Sequence, residues 1–278
     1  RRQRQMCIRD RSSDLAVMRQ TLLFGGLESA SHNINRKRSD VLMYEFGNVY
    51  FRNPAVEPTA DAPLAPFSES SRLGVWMSGS LRPGNWARPA VEVTFYDLKA
   101  VVANIFARLG LNPSEIKLTR GEGEIYSVSL DIATRSGKPL GSMGVLSRKL
   151  LGRFDIKQDV FYAELDWHAL VGLALKKKVL FTPLPKTMAV KRDLALLLDT
   201  AVTMERVEAV IRDSERKLLK DVELFDVYEG KNLPAGKKSY AVAMILQDDE
   251  KTLNDKQIDA TMNKIIANLK KQLGAELR

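Results

Sequence analysis

Very few residues of this chain have the type and spacing that bond-making chemistry needs. The only imidazoles are His32 and His168, and the only thiol is Cys7. That stock offers no zinc-ligand spacing, and each histidine reads as an ordinary surface or helix residue. There is no P-loop to cradle a phosphate, and no Ser, His and Asp arrangement reads as a triad. Nothing in the run of carboxylates marks an acid–base pair. What stands out instead is one segment, LFDVYEGKNLPAGKKSYAVAMILQDDEKTLNDKQID, residues 224–259. It reads as strand, lysine-rich turn, strand and capped amphipathic helix.

Composition narrows the classes further. At 278 residues, 45% of them hydrophobic, the chain has room for two domains with real cores. No apolar run approaches the ~18 residues that span a bilayer. A single cysteine excludes an internal disulfide, which fits a reducing cytoplasm. The net charge of +9 is unevenly placed: residues 1–13 hold +4, residues 182–278 only +1, and the middle the remaining +4. The last hundred residues are therefore no generic polyanion binder. If they bind RNA, a local basic patch and base contacts must supply the affinity. The opening RRQRQMCIRDRSS has no period and lacks a secretory apolar core. It reads as a disordered tail or an artefact unrelated to the fold, with a basic nucleic-acid arm as the alternative. A start at Arg1 rather than at methionine leads us to expect a piece of something longer.

The elements that must position any site follow from periodicity. Residues 14–35 read as a helix entry, with Asp14 as cap and Leu15, Met18, Leu22 and Leu23 on one face. Gly25-Gly26 predicts a break there, or a close approach of another backbone, since each glycine costs a helix about 1 kcal/mol. VLMYEFGNVYF (41–51) reads as a strand pair or a strand bent at Gly47, 53–70 as a loop, and 72–79 as a strand. Leu98, Val101, Val102, Ile105, Phe106 and Leu109 mark the clearest helix of the first half, stopped by Gly110. Strands are expected at 124–132, 139–147 and 160–167, with a hairpin turn at Gly137-Lys138. Trp76, Trp86 and Trp167 read as core or interface residues. Lys176–Lys178 and the prolines Pro183 and Pro185 mark the domain boundary. The organisation expected is a tail at 1–13, an α+β domain at 14–180 and a second domain at 181–278.

The second domain reads β-α-β-β-α with a short terminal strand. AVKRDLALLL is its first strand, and Thr203 caps a helix carrying Met204, Val207, Val210 and Ile211. LKDVELFDVY is the second strand, in which Val222, Leu224 and Val227 alternate imperfectly. SYAVAMILQ is the third. Thr252 with Asp255 predicts a capping-box variant. Ile258, Met262, Ile265, Ile266, Leu269 and Leu273 then form a buried stripe that ends at Gly274. This order is the split βαβ, ferredoxin-like arrangement.

Several uncommon strings in fixed order (FDVYEGK, GKKS, TLND), with PKTMAVKRDLALLLD upstream, resemble the anticodon-binding domain of the bacterial phenylalanyl-tRNA synthetase beta subunit. The first half resembles the same family through MRQTLLFGGLESASHNINRKRSDVLMYEFGNVY, VTFYDLKAVVANIFARLG and GSMGVLSRKLLGRFDIKQDVFYAELD. Ser147-Arg148 stand where the family usually has His-Pro. The likeness covers about residues 14–278, the C-terminal third of such a subunit. It implies a class II synthetase-like, non-catalytic mixed α/β module with an antiparallel sheet, then a ferredoxin-fold, RRM-like domain. The strand LMYEFG resembles a class II motif-two strand, yet no glycine-rich segment ending in Glu-Arg follows it.

The resemblance implies that the last domain holds the first anticodon base of tRNA(Phe). Tyr228 matches the stacking aromatic, Asp226 and Ser239 the polar readers, and Ala195 the small residue beneath the base. A tyrosine on an open sheet gives a base a platform worth about 1–3 kcal/mol, and a carboxylate accepts hydrogen bonds from a guanine edge. Lys191, Arg192, Lys231, Lys237 and Lys238 flank the platform in sequence and are the phosphate-contact candidates; Arg192 with Asp193 is alternatively an ion pair at the strand start. The implied partners are tRNA and a catalytic alpha subunit, in a cytoplasmic heterotetramer of two alpha and two beta chains. ATP, Mg²⁺ and phenylalanine are then handled by the holoenzyme, with no cofactor or metal in this chain. The competing reading is a stand-alone ferredoxin-like module for an amino acid or for generic RNA. An RRM-type G-F-G-F-V string is absent.

Overall fold

Apolar side chains point to both faces of the central strands in the first half of the chain, and that decides the layering. A computed structural model describes residues 17–178, 181, 183–230 and 232–278. The chain divides into two units between residues 179 and 180. In the first unit the strands are β1 (Val41–Arg52), β2 (Phe67–Ser78), β3 (Ser80–Arg82), β4 (Val91–Glu92), β5 (Ile116–Arg120), β6 (Tyr126–Thr134), β7 (Pro139–Leu146) and β8 (Val160–Asp166). Its helices are α1 (Leu23–Ile34), α2 (Phe95–Arg108), α3 (Arg148–Gly152) and α4 (Trp167–Ala174). Six strands form one antiparallel sheet in the order β1-β2-β8-β7-β6-β5. Leu73, Val75 and Met77 of β2 join Phe161, Ala163 and Leu165 of β8 under Leu98, Val102 and Phe106 of α2. On the other face Trp76 and Tyr162 pack with Leu22, Leu23 and Leu27 around α1. Burial on both sides is why GVWMS and VFYAEL are apolar almost without a gap.

Four expectations for this unit need correction. Helix α1 starts only at Leu23, capped by Leu22, so Met18 lies outside it and is 60% exposed rather than on its buried face. The helix runs through Gly25 and Gly26 without a break. The close approach at Gly26 is made by a ring, because a Cβ there would collide with the Trp76 indole. Strand β1 is one continuous strand through Gly47, which pairs with Arg72. Strand β2 starts at Phe67, inside the stretch expected to be loop, and β5 has no counterpart in the expectations. Asp14 and Leu15 lie outside the described residues.

The second unit runs β9 (Val190–Asp199), α5 (Met204–Ser214), β10 (Leu219–Tyr228), β11 (Lys237–Leu246), α6 (Asp255–Leu273) and β12 (Glu276–Leu277). Its antiparallel sheet has the order β10-β11-β9-β12. Both helices cover one face: Leu196, Leu198, Val242, Met244 and Leu246 of the sheet meet Val207, Ile211, Ile258, Ile265 and Leu269. The fold is α+β, with the ferredoxin-like order read from the periodicity. Helix α6 ends at Gly274, whose φ of 63° suits a residue without a Cβ. Its N-terminus differs from expectation. Asn254, not Thr252, is the cap: its side chain accepts from the Gln257 amide at 2.9 Å, and Gln257 returns a bond to the Asn254 amide at 3.3 Å. The reciprocal pair satisfies two amides of the first turn, and the helix accordingly begins at Asp255, three residues after Thr252.

Candidate nucleic-acid interface

Helices cover one face of the second unit's sheet, so the strand pleat assigns every other residue to the open face. The register makes the assignment definite. Ser239, Ala241, Ala243 and Ile245 of β11 stand opposite Leu197, Ala195, Asp193 and Lys191 of β9. On the other side Tyr228 stands opposite Ser239, Asp226 opposite Ala241, and Glu223 opposite Ala243. The pairing slips between Leu224 and Asp226, a β-bulge that admits Phe225 as an extra residue. This slip is what carries Asp226 and Tyr228 onto the open face after Val222 and Leu224 have packed toward the helices.

The result is a shallow trough. Ser239, Ala241 and Ala195 form a floor with little beyond Cβ, and Tyr228 rises on one side. Tyr228 is half-buried, folded onto the turn backbone: a Cβ on Gly230 would lie 2.6 Å from its hydroxyl oxygen and 2.7 Å from Cζ. Asp226 is exposed beside it, with no salt-bridge partner among the described residues. Ser239 is buried at the foot of the ring. On the far side the backbone N–H of Arg278 donates to the Ala195 carbonyl at 3.1 Å, continuing β12 along the row. The Arg278 guanidinium reaches back over the alanines, its Cζ 5.5 Å from the Tyr228 ring centroid.

The five basic candidates separate by parity. Lys191 and Lys237 lie on the open face. The Lys191 ammonium sits 3.8 Å from the Glu223 carboxylate and 5.7 Å from the Phe225 ring centroid. The Lys237 ammonium pairs with Asp199 at 3.0 Å. Arg192 and Lys238 pair with Met244 and Leu198, so they belong to the opposite, helix-covered side. Lys238 is only 7% exposed, its ammonium 4.6 Å from the centre of the Tyr240 ring. The two therefore do not flank the Tyr228 platform in space, although they do in sequence. Arg192 bonds its own neighbour's carbonyl, Lys191 O, at 3.1 Å, and no ion pair with Asp193 is present among the described residues. Lys231 lies outside the described residues. Sequence reasoning missed Phe225 and Arg278; the broken alternation Val222, Leu224, Val227 was the available signal for the first.

In the first unit the histidines do not converge on anything. His32 and His168 are both exposed, and no three His, Cys, Asp or Glu side chains among the described residues are placed to hold a metal ion.

Comparison with known proteins places both units. Residues 185–278 match the model of the ferredoxin-fold anticodon binding domain. Residues 10–167 match that of the phenylalanyl tRNA synthetase beta chain CLM domain. The chain belongs to the phenylalanyl-tRNA synthetase beta-chain family. Among its relatives, the phenylalanine--tRNA ligase beta subunit of Porphyromonas gingivalis is 48% identical over 96% of this chain and 32% of its own length. The subunit of Bacteroides fragilis is 48% identical over 98% of this chain and 33% of its own. That of Lactococcus lactis is 33% identical over 96% and 32%. This beta-chain sequence thus spans about a third of the length of those relatives. Of the described residues, no helix is long and apolar enough to cross a membrane.

Proposed function

We propose that the second unit holds the first anticodon base of tRNA(Phe) in the trough on its open sheet face. The observation that carries this reading is the trough itself: a small-residue floor of Ala195, Ala241 and Ser239 beside an aromatic ring and an exposed carboxylate. Tyr228 stacks on the base, and Asp226 accepts from the N–H donors of a guanine edge. Lys191 and Lys237 are the phosphate contacts on this face, and Lys231 stays a candidate by its place in the sequence. Arg192 and Lys238 leave the set.

The first unit is the non-catalytic scaffold for an alpha subunit that attaches phenylalanine to tRNA with ATP and Mg²⁺ in the cytoplasm, two alpha with two beta chains. Its support is the uncovered face of the edge strand β1. Leu42, Tyr44 and Phe46 share that face and are 53%, 73% and 54% exposed. Apolar surface left in a row on an edge strand marks an interface.

The test is binding of anticodon stem-loops, cognate against first-base variant, to wild type and to Tyr228→Ala. The variant should lose about 1–3 kcal/mol on the cognate loop and discriminate less between the two, at unchanged thermal stability. If Tyr228→Ala binds every loop as wild type does while its Tm falls by several degrees, the tyrosine is a core residue and the platform is misplaced.

A further inference from the structure

The trough has a second wall that the reading above does not use. Asp226, Ala241, Ala195 and Arg278 form one row across the four strands. Three inter-strand gaps of about 4.8 Å separate its ends. The guanidinium and the Tyr228 ring nevertheless meet at 5.5 Å, because the two alanines between them leave the row empty above Cβ. Arg278 is exposed and pairs with no carboxylate among the described residues. Its guanidinium lies instead against the π-face that a base would occupy. It also brings positive charge to a face on which Asp193, Asp199, Glu223 and Asp226 all stand.

Building on the anticodon-platform reading, we infer that Arg278 is a base-binding residue, the planar second wall of a sandwich. An unstacked RNA base enters between its guanidinium and the Tyr228 ring. Arginine planes and aromatic rings are the two surfaces on which splayed-out bases stack, and a cation opposite a tyrosine strengthens the arrangement. Two stacking gaps of about 3.5 Å each need about 7 Å. The guanidinium therefore has to lift from its present 5.5 Å, a rotamer change for an exposed side chain. Without RNA the same group caps the ring and keeps it from water.

The experiment uses the whole 278-residue chain and labelled anticodon stem-loops, intact or abasic at the first anticodon position, across a salt series. Arg278→Ala and Arg278→Lys should each bind the intact loop about tenfold to a hundredfold more weakly. Neither should weaken binding of the abasic loop, and the Tm should hold. Lysine keeps the charge but not the plane, so binding by Arg278→Lys equal to wild type would overturn the inference. So would an equal loss on intact and abasic loops, which marks a phosphate contact, or tighter binding by Arg278→Ala, which marks a lid. Failure of the underlying reading looks different. There, wild type binds abasic and intact loops alike and Tyr228→Ala changes nothing, and the Arg278 assignment falls with it.

Discussion

At the residue scale, neighbours in sequence are expected to behave oppositely. Lys237 and Lys238 are adjacent, yet one faces the open side of the sheet and the other lies under the helices. Replacing Lys237 by alanine should weaken all RNAs similarly and lower the salt slope of binding by about one unit. Its ion pair with Asp199 is partly solvated and should matter little to stability. Lys238→Ala should leave RNA binding untouched. It should cost roughly 1 kcal/mol or more of stability instead, through the lost packing and cation–π contact with Tyr240. Denaturant melts of both variants, beside stem-loop titrations at several salt concentrations, check the pair. Equal losses of RNA affinity in the two would refute the assignment of faces.

At the element scale, α1 offers a similar contrast in two consecutive glycines. Nothing lies within 4 Å of a Cβ built on Gly25, whereas one on Gly26 would enter the Trp76 ring. Gly25→Ala should therefore stabilise the chain by up to about 1 kcal/mol. Gly26→Ala should destabilise it by about 1–3 kcal/mol, because Trp76 is buried and cannot step aside without repacking. Urea unfolding of the two variants is the measurement. Helix α2 adds a pH dependence. Asp97 accepts from the Thr94 hydroxyl and from the Thr94 amide, each at 2.7 Å. These bonds, the hydroxyl's first, hold its carboxyl below the ordinary value. A depressed folded value means the stabilisation is fully present above the unfolded carboxylate pKa, about 3.9. It is lost as pH falls through the lower folded value. Asp97→Asn should thus lower stability at pH 7, and the gap from wild type should close below about pH 4.

At the scale of the whole molecule, the uncovered face of β1 predicts assembly. A chain that presents Leu42, Tyr44 and Phe46 to water should self-associate as its concentration rises, and a Tyr44→Glu substitution should suppress this. Sedimentation over a concentration series reads the effect. A monomer at high concentration that also fails to bind a cognate alpha subunit would count against the scaffold reading. The purified chain by itself should show no phenylalanine-dependent ATP–pyrophosphate exchange. Its sequence marks no nucleophile, acid–base pair or phosphate-binding loop, and the exposed His32 and His168 do not converge in the first unit.

The order of elements in the second unit was legible from sequence because each carries its own local period. The stripe from Ile258 to Leu273, stopped by Gly274, needs only 3.6-residue spacing and one left-handed residue. Sequence also showed that this unit is nearly neutral, so that any RNA contact must be local. Even the β-bulge left a trace, in the slip of alternation between Leu224 and Val227. Which side chains share the open face was decided by tertiary structure alone. Strand register is a long-range property, and a shift of one residue sends every side chain to the other side. That is why Lys238 and Arg192 look like flanks of the platform in sequence and lie behind it in space. It is also why Arg278, fifty residues from Tyr228 in the chain, could be brought over its ring only by the short strand β12 pairing beside β9.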